Sequence, residues 1–167
     1  MNNGTTEWSV MARVMQKTRD ITLMYFKLLR NTDLQRTFEI NGIKLNSPFW
    51  IMAHLAVTEN FLLNRSTGGP VIKIPWARQF GMGSEHSLPE ACPPLDEVLE
   101  TLATVHKSAM DHVASLSDDL LDQPNTSGFE FLGEKTYRSV MEHAIRHEGT
   151  HSGHLGWLCK LNGIKTI

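Results

Sequence analysis

Histidines are concentrated in one short stretch of this chain. Residues 143–154 read H-A-I-R-H-E-G-T-H-S-G-H and contain four of the eight histidines. On a helix, at about 100° per residue, His147 and His151 fall in the middle of an apolar stripe, and His143 and His154 lie towards one edge of it. The apolar members of this stripe are Val140, Ala144, Leu155 and Leu158. Buried imidazoles without partners are costly, so this pair predicts a shared partner, for which a metal ion is the best candidate.

A third histidine has a similar place on another predicted helix. Ser47 and Pro48 indicate a helix start, with serine as the N-cap and proline at the first helical position, and the helix runs to about residue 64 or 65. Its predicted buried stripe consists of Trp50, His54, Val57 and Phe61. A lone histidine in such a stripe is usually a core residue that bonds a backbone carbonyl. The histidine pair on the other predicted helix favours a metal ligand at this position instead. His54, His147 and His151 therefore form the predicted site for a divalent transition metal, zinc or nickel by ligand type.

Other histidines leave alternatives open. His143 could pair with His147, but it lies off the centre of the stripe and is about 12 Å of axial rise from His151. His106 falls within the apolar stripe of the third predicted helix, and His154 leans towards the candidate site. Each of these two is a candidate for a further ligand or for a group that contacts a ligand. The simplest alternative is a polar core layer of hydrogen-bonded histidines with no metal.

Residues 147–151 also spell H-E-x-x-H, the signature of zinc metalloproteases. A thermolysin-like enzyme needs a later acidic ligand, and no Asp or Glu follows Glu148. A metzincin needs glycine and histidine at a spacing that Gly153 and His154 do not have. There is also little strand signal for a sheet edge that could align a peptide, so a protease is disfavoured. Glu148 lies about 80° from the stripe centre, which predicts either an acceptor beside the ligands or a surface carboxylate.

Hydrophobic periodicity predicts four long helices, at residues 8–30, 48–65, 95–117 and 137–162. Asn41-Gly42 predicts a type I′ turn in a short hairpin. The glycine- and proline-rich connection 66–94 either walls one end of a pocket or is a packed loop, and His86 within it is predicted at the surface. These features predict an all-α protein, a four-helix bundle that forms a single domain over residues 1–167.

Composition excludes several other classes of protein. The 167 residues are 41% hydrophobic and carry a net charge of −2 with no basic block, so neither nucleic acid nor a membrane surface is a predicted partner. Residues 1–6 are polar and lack a signal segment, and no apolar run is long enough to span a bilayer. Cys92 and Cys159 do not make a disulfide framework. We therefore expect a cytoplasmic protein with reduced thiols.

The pattern Trp50…His54, followed by His147-Glu148-x-x-His151-x-Gly153, resembles the DinB/YfiT-like superfamily. The resemblance covers nearly the whole chain in length, helix order and the long irregular middle. It implies an up-down-down-up four-helix bundle, commonly dimeric, that binds nickel or zinc through three histidines. Carried over by position, those ligands are the His54, His147 and His151 set obtained above from helix phase. His154 stands where the family often has glutamine.

The resemblance also implies a function. Characterised members of the superfamily include S-transferases that use low-molecular-weight thiols such as bacillithiol or mycothiol, and a thiol-dependent isomerase. The expected function is therefore a metal-dependent transfer of such a thiol, as cosubstrate, to a small electrophilic substrate. The alternatives are a non-catalytic, stress-associated metal-binding bundle and a metal-dependent hydrolase that uses a bound hydroxide. A homodimer is expected from the resemblance and from a second apolar stripe on the first helix, formed by Val10, Val14, Ile21 and Leu28.

Overall fold

A computed structural model describes residues 5–84, 88 and 91–166. The elements in chain order are α1 (Glu7–Leu29), β1 (Glu39–Ile40), β2 (Ile43–Lys44), α2 (Pro48–Glu59), a π-helical continuation of α2 (Asn60–Arg65), α3 (Ala77–Phe80), α4 (Leu95–Ala114), a 3₁₀ turn (Asp118–Leu120) and α5 (Tyr137–Leu161). This order confirms the all-α prediction and the four long helices. α4 ends three residues earlier than predicted, and the short helix α3 within the long connection was not predicted.

Short polar side chains fix where three of the long helices begin. The hydroxyls of Thr6, Ser47 and Thr136 accept hydrogen bonds from backbone N–H groups three residues later, at 3.1, 3.2 and 3.1 Å. Each bond satisfies one of the amide groups that the first turn of a helix leaves unpaired. α5 is followed at its C-terminal end by Gly163, whose φ of 72° is the left-handed conformation that glycine adopts most easily. These caps set the register of the helix that carries the four clustered histidines.

α1 and α5 run parallel to each other. Trp8 at the start of α1 meets Tyr137 at the start of α5, with ring centroids 6.3 Å apart. Near the other end, the ring of Tyr25 lies against Gly156, where an added Cβ would come within 3.4 Å of it. The absence of a side chain at Gly156 therefore allows these two helices to approach closely.

α2 and α4 run parallel to each other and opposite to α1 and α5. Trp50, near the start of α2, lies 6.4 Å from the ring of His151 late in α5. Val98 early in α4 shares a core cluster with Trp50, and Val113 late in α4 shares the other cluster with Leu63 at the end of α2. The bundle thus has the predicted up-down-down-up arrangement. Because α2 and α4 are parallel, the connection 66–94 must return along the length of the bundle.

α2 is buried on nearly all sides, which corrects the single stripe predicted for it. Val57 and Phe61, two members of that stripe, are only partly buried. Residues outside the predicted stripe are buried as well, namely Phe49, Ile51, Met52, Ala53 and Leu55. The reason is that α2 packs against α3, α4 and α5 together, so no side of it faces solvent along most of its length. In the described part of the chain, no helix combines the length and apolar character needed to cross a membrane.

A charged network lies inside the bundle. Arg19 of α1, 1% exposed, donates from Nε to Glu148 Oε1 at 2.7 Å and from NH2 to Glu59 Oε2 at 2.8 Å. His106 Nδ1 lies 2.6 Å from the other oxygen of Glu59. Burial alone raises the pKa of Glu59, but the charge of Arg19 and the hydrogen bond with His106 outweigh it and hold that pKa below its usual value. The network joins all four long helices by way of their polar side chains.

Candidate metal centre

The structure brings His54, His147 and His151 together between α2 and α5. One ring nitrogen from each residue lies within 4.8 Å of the corresponding nitrogens of the other two. The Nε2 atoms of His54 and His147 are 3.1 Å apart. The ring centroids of His147 and His151, one turn apart on α5, are separated by 4.6 Å. These three histidines are positioned to hold one metal ion.

The geometry of the cluster fits a transition metal. Two imidazole nitrogens bound tetrahedrally at about 2.0–2.1 Å from zinc lie roughly 3.3 Å apart, close to the 3.1 Å between the Nε2 atoms of His54 and His147. His54 Nδ1 lies 2.7 Å from the carbonyl oxygen of Phe80, and a carbonyl oxygen can only accept a hydrogen bond. The proton of His54 is therefore on Nδ1, and the lone pair of Nε2 faces the cluster. A ligating histidine is typically oriented by such a bond on its other nitrogen.

The long connection 66–94 supplies this orienting carbonyl. Phe80, at the end of α3, is fully buried and packs edge-on against Phe49 and Trp76, with centroid distances of 6.0 and 5.7 Å. The ring of His54 also stacks on the ring of Trp50, with centroids 4.5 Å apart and an interplanar angle of 17°. The connection therefore does more than join two helices, because its Phe80 carbonyl orients a candidate ligand.

Burial keeps the candidate ligands neutral. Desolvation, with smaller contributions from the neighbouring histidines, lowers the pKa of His147 to about 3 and that of His151 to about 2. At pH 7 both rings are uncharged, and the neutral imidazole is the form that binds metals. The cluster is therefore ready to bind a cation without first losing protons.

His143 lies beside the cluster and outside the group of three. Its ring is stacked on Phe131 at 4.0 Å, and its centroid is 5.7 Å from that of His147. Arg146 NH2 donates to His143 Nδ1 at 2.7 Å, which places the ring proton on Nε2. His143 Nδ1 is thus occupied by Arg146, and within the described residues the converging group of ligand atoms leaves His143 out.

His154 contacts one of the three histidines from the other side. Its Nδ1 lies 3.4 Å from His151 Nδ1, and the two rings are nearly perpendicular, at 82°. Within the described residues, the group of converging ligand atoms contains His54, His147 and His151 and leaves His154 out. Of the two roles left open by the sequence, contact with a ligand is the one that this geometry supports.

Two sequence interpretations need correction. Glu148 is neither an acceptor beside the cluster nor a surface carboxylate, because it is 1% exposed and bonded to Arg19. The H-E-x-x-H motif therefore lacks the free general base that a metalloprotease requires. His106 is not part of the cluster either, because its two ring nitrogens face Glu59 and Gln16. His86 lies outside the described residues.

An apolar cleft lies beside His154, the residue that contacts His151 of the cluster. Its volume is about 440 Å³, and it is lined by Ile40, Lys44, Leu45, Asn46, Ile51, His154, Trp157, Leu158 and Leu161. A larger cavity of about 580 Å³ lies between α1 and α4 and reaches Arg19 and His106. Neither cavity is lined by any of the three clustered histidines. The smaller cleft approaches the cluster through His154, whose Nδ1 lies 3.4 Å from His151 Nδ1.

The chain is thus an all-α bundle with a candidate metal site, formed by two histidines one turn apart on its last helix and a third that meets them from α2. The family model of the DinB superfamily matches residues 15–155, and the chain belongs to that superfamily. The match spans all three histidines and confirms the resemblance carried by Trp50, His54 and the motif on α5. A comparison with curated proteins gives no match.

Proposed function

We propose that this protein is an enzyme that binds one divalent transition metal through His54, His147 and His151 and transfers a low-molecular-weight thiol to an electrophilic substrate. The observation that carries this proposal is that three imidazoles from two helices converge at one point, and that an apolar cleft lies beside the neighbouring His154. A three-histidine set without a fourth protein ligand is typical of catalytic metal sites, whereas structural sites are usually closed by four protein ligands. Zinc and nickel are the metals proposed, because imidazole ligands suit both.

The protein side chains prepare the site for this chemistry. When bound, a divalent ion supplies Lewis acidity that lowers the pKa of a thiol enough for the thiolate to be present at neutral pH. Three neutral imidazoles leave the positive charge of the ion uncompensated, and the Phe80 carbonyl and the Trp50 ring hold His54 in its orientation.

In the proposed transfer, the thiolate displaces a leaving group from the electrophilic substrate. The thiolate sulfur forms a bond to an electrophilic carbon of the substrate, and the bond from that carbon to the leaving group breaks. The leaving group departs with the electron pair of the broken bond, and the proton of the thiol passes to solvent.

Metal-dependent hydrolysis and purely structural metal binding are supported less well. Hydrolysis commonly uses a nearby carboxylate to deprotonate or orient water, and Glu148 is instead bonded to Arg19 inside the bundle. A structural site calls for a fourth protein ligand, and the converging group contains three residues among those described.

A homodimer is also proposed. Val10, Val14, Ile21 and Leu28 on α1 are 37–46% exposed, although each is a large apolar residue. They lie on the side of α1 opposite its buried face, as expected for a helix that packs against a second copy.

The test begins with elemental analysis of protein purified without an affinity tag. We expect about one equivalent of zinc or nickel per chain, and thiol conjugation to an aromatic electrophile that depends on the metal. His54→Ala should lose both metal and activity. His112→Ala is the control, because His112 lies on α4 and bonds the Thr67 carbonyl at 3.0 Å, away from the cluster. Metal content near zero with no uptake on titration would show that the proposal is wrong.

A further inference from the structure

The two flanks of the histidine cluster differ in packing. Towards the start of α5, the ring of His143 lies between Phe131 and His147, and the guanidinium of Arg146 covers Phe131 at 4.1 Å from the ring centroid. Stacked rings narrow that flank, where a smaller cavity of about 210 Å³ lies beside His143. Towards the end of α5, His154 is followed by the cleft of about 440 Å³. A molecule in this cleft would contact His154, which in turn contacts His151 of the cluster.

The cleft is continuous with both helices that carry the candidate ligands. Ile51 lies one turn before His54 on α2, and Leu158 lies one turn after His154 on α5, and both are buried at its base. Trp157 and Leu161, which are 65% and 37% exposed, form its α5 side. Exposed apolar side chains around a concave site beside candidate metal ligands are typical of a small-molecule pocket, and the volume lies within the usual range of about 300–1,000 Å³.

The β1–β2 hairpin forms the outer wall of the cleft. Asn41 and Gly42 both have positive φ, 52° and 80°, as the predicted type I′ turn requires, and this tight turn pairs two strands of only two residues each. Ile40 and Lys44 of this hairpin line the cleft. The hairpin is therefore an element that can set which substrate fits.

The residues that line the cleft carry positive charge and no negative charge, among those that the structure describes. No aspartate or glutamate lines the cleft among the residues that the structure describes, whereas Lys44 brings a positive charge to its hairpin side. A cationic ligand would find no partner there, and a neutral or anionic one would not be repelled.

We infer that this cleft holds the electrophilic substrate of the proposed transfer, and that the substrate is an apolar, aromatic or branched molecule that is neutral or carries one negative charge. This inference rests on the proposed function. The reacting carbon lies on the His154 side, next to the cluster, and the apolar body lies among Trp157, Leu161 and Ile40. An anionic substituent pairs with Lys44.

The test uses unreactive probes, so that binding is measured apart from chemistry. Calorimetric titration of metal-loaded protein compares 2-naphthoate, neutral 2-naphthylmethanol and cationic 2-naphthylmethylammonium. We expect affinity to fall in that order. Lys44→Gln should weaken naphthoate roughly threefold, as for an exposed ion pair, and leave naphthylmethanol unchanged. Naphthoate should also compete with an aromatic electrophile in the transfer assay.

A matched pair of leucines tests the location. Leu161 is 37% exposed in the cleft, and Leu23 of α1 is 44% exposed beside the larger cavity. Leu161→Gln should weaken both naphthoate and naphthylmethanol roughly fivefold, since it removes partly buried apolar surface. Leu23→Gln should bind them like the wild type. Both positions are partly exposed, so both variants should fold, as circular dichroism can check.

The outcomes separate this inference from the proposed function. If metal binds and thiol is transferred, but naphthoate neither competes nor responds to Leu161→Gln, the inference about the cleft is wrong and the function stands. If Leu161→Gln converts a dimer to a monomer without changing probe affinity, the cleft is an interface between copies and the inference is again wrong. If neither metal uptake nor transfer is found, the proposed function fails, and the assignment of a substrate fails with it.

Discussion

A substitution of Glu148 tests whether this residue of α5 acts in catalysis or in the stability of the fold. In sequence it is the second residue of H-E-x-x-H, the position of a general base in metalloproteases. In the structure it faces away from the histidines and accepts two hydrogen bonds from Arg19, at 2.7 and 3.0 Å. We therefore predict that Glu148→Gln lowers the free energy of unfolding but leaves metal affinity and the rate of thiol transfer nearly unchanged.

The size of the effect follows from the burial of the pair. The side chains of Arg19 and Glu148 are 2% and 1% exposed, so solvent screens their interaction little. Replacing the carboxylate by an amide keeps the volume but removes a charge-assisted bond worth about 1.5–3 kcal/mol. Arg19 keeps Glu59 as a partner, at 2.8 Å, which prevents the larger loss of about 3–5 kcal/mol expected for an unpaired buried charge. The expected loss is about 2–3 kcal/mol.

Urea denaturation measures this loss, and metal content and transfer rate are measured on the same samples. For a slope of about 2 kcal/mol per molar urea, the midpoint should fall by about 1 M. Glu142→Gln is the control, since Glu142 is exposed on the same helix, and it should change the midpoint by less than about 0.3 M. If Glu148→Gln abolished activity while the midpoint stayed at its wild-type value, the assignment of Glu148 to the folding network would be refuted.

The other predictions concern the histidines and the dimer. In competition with a chelator, metal affinity should fall sharply for each of the variants His54→Ala, His147→Ala and His151→Ala, and a wild-type affinity for any of them would contradict the site. His143→Ala should lose at most about 10–100-fold, and His154→Gln should retain the metal with modestly changed reactivity. The stability of the metal-free protein should fall as pH decreases from about 6.5 towards about 3, because the unfolded chain takes up protons that buried His147 does not; a urea midpoint that is flat over this range would disagree. Light scattering should return a dimer mass, and Val14→Asp on the exposed α1 face should give a monomer; a monomer mass for the wild type at micromolar concentration would exclude the proposed dimer.

Local features of the sequence determined the helices and the phase of the candidate ligands. Serine and threonine caps, the proline at position 48 and the glycine at position 163 mark ends that depend on short-range hydrogen bonds and backbone conformation, so they can be read without tertiary contacts. A period of 3.6 residues was enough to place His147 and His151 on the buried side of α5, and His54 at the centre of α2. The type I′ turn at Asn41-Gly42 was determined locally in the same way.

Tertiary structure decided what each buried polar group contacts. Arg19 and Glu148 are 129 positions apart in the chain, and His106 and Glu59 are 47 apart, so no local pattern links them. Helical periodicity predicted on which side of α5 Glu148 lies, but not that α1 packs against that side. Because Arg19 of α1 is bonded to it there, Glu148 is buried in the core. A bond from His54 to some backbone carbonyl could be expected from the sequence, but not its partner, because every residue has a carbonyl and only the path of the long connection brings that of Phe80 to the histidine.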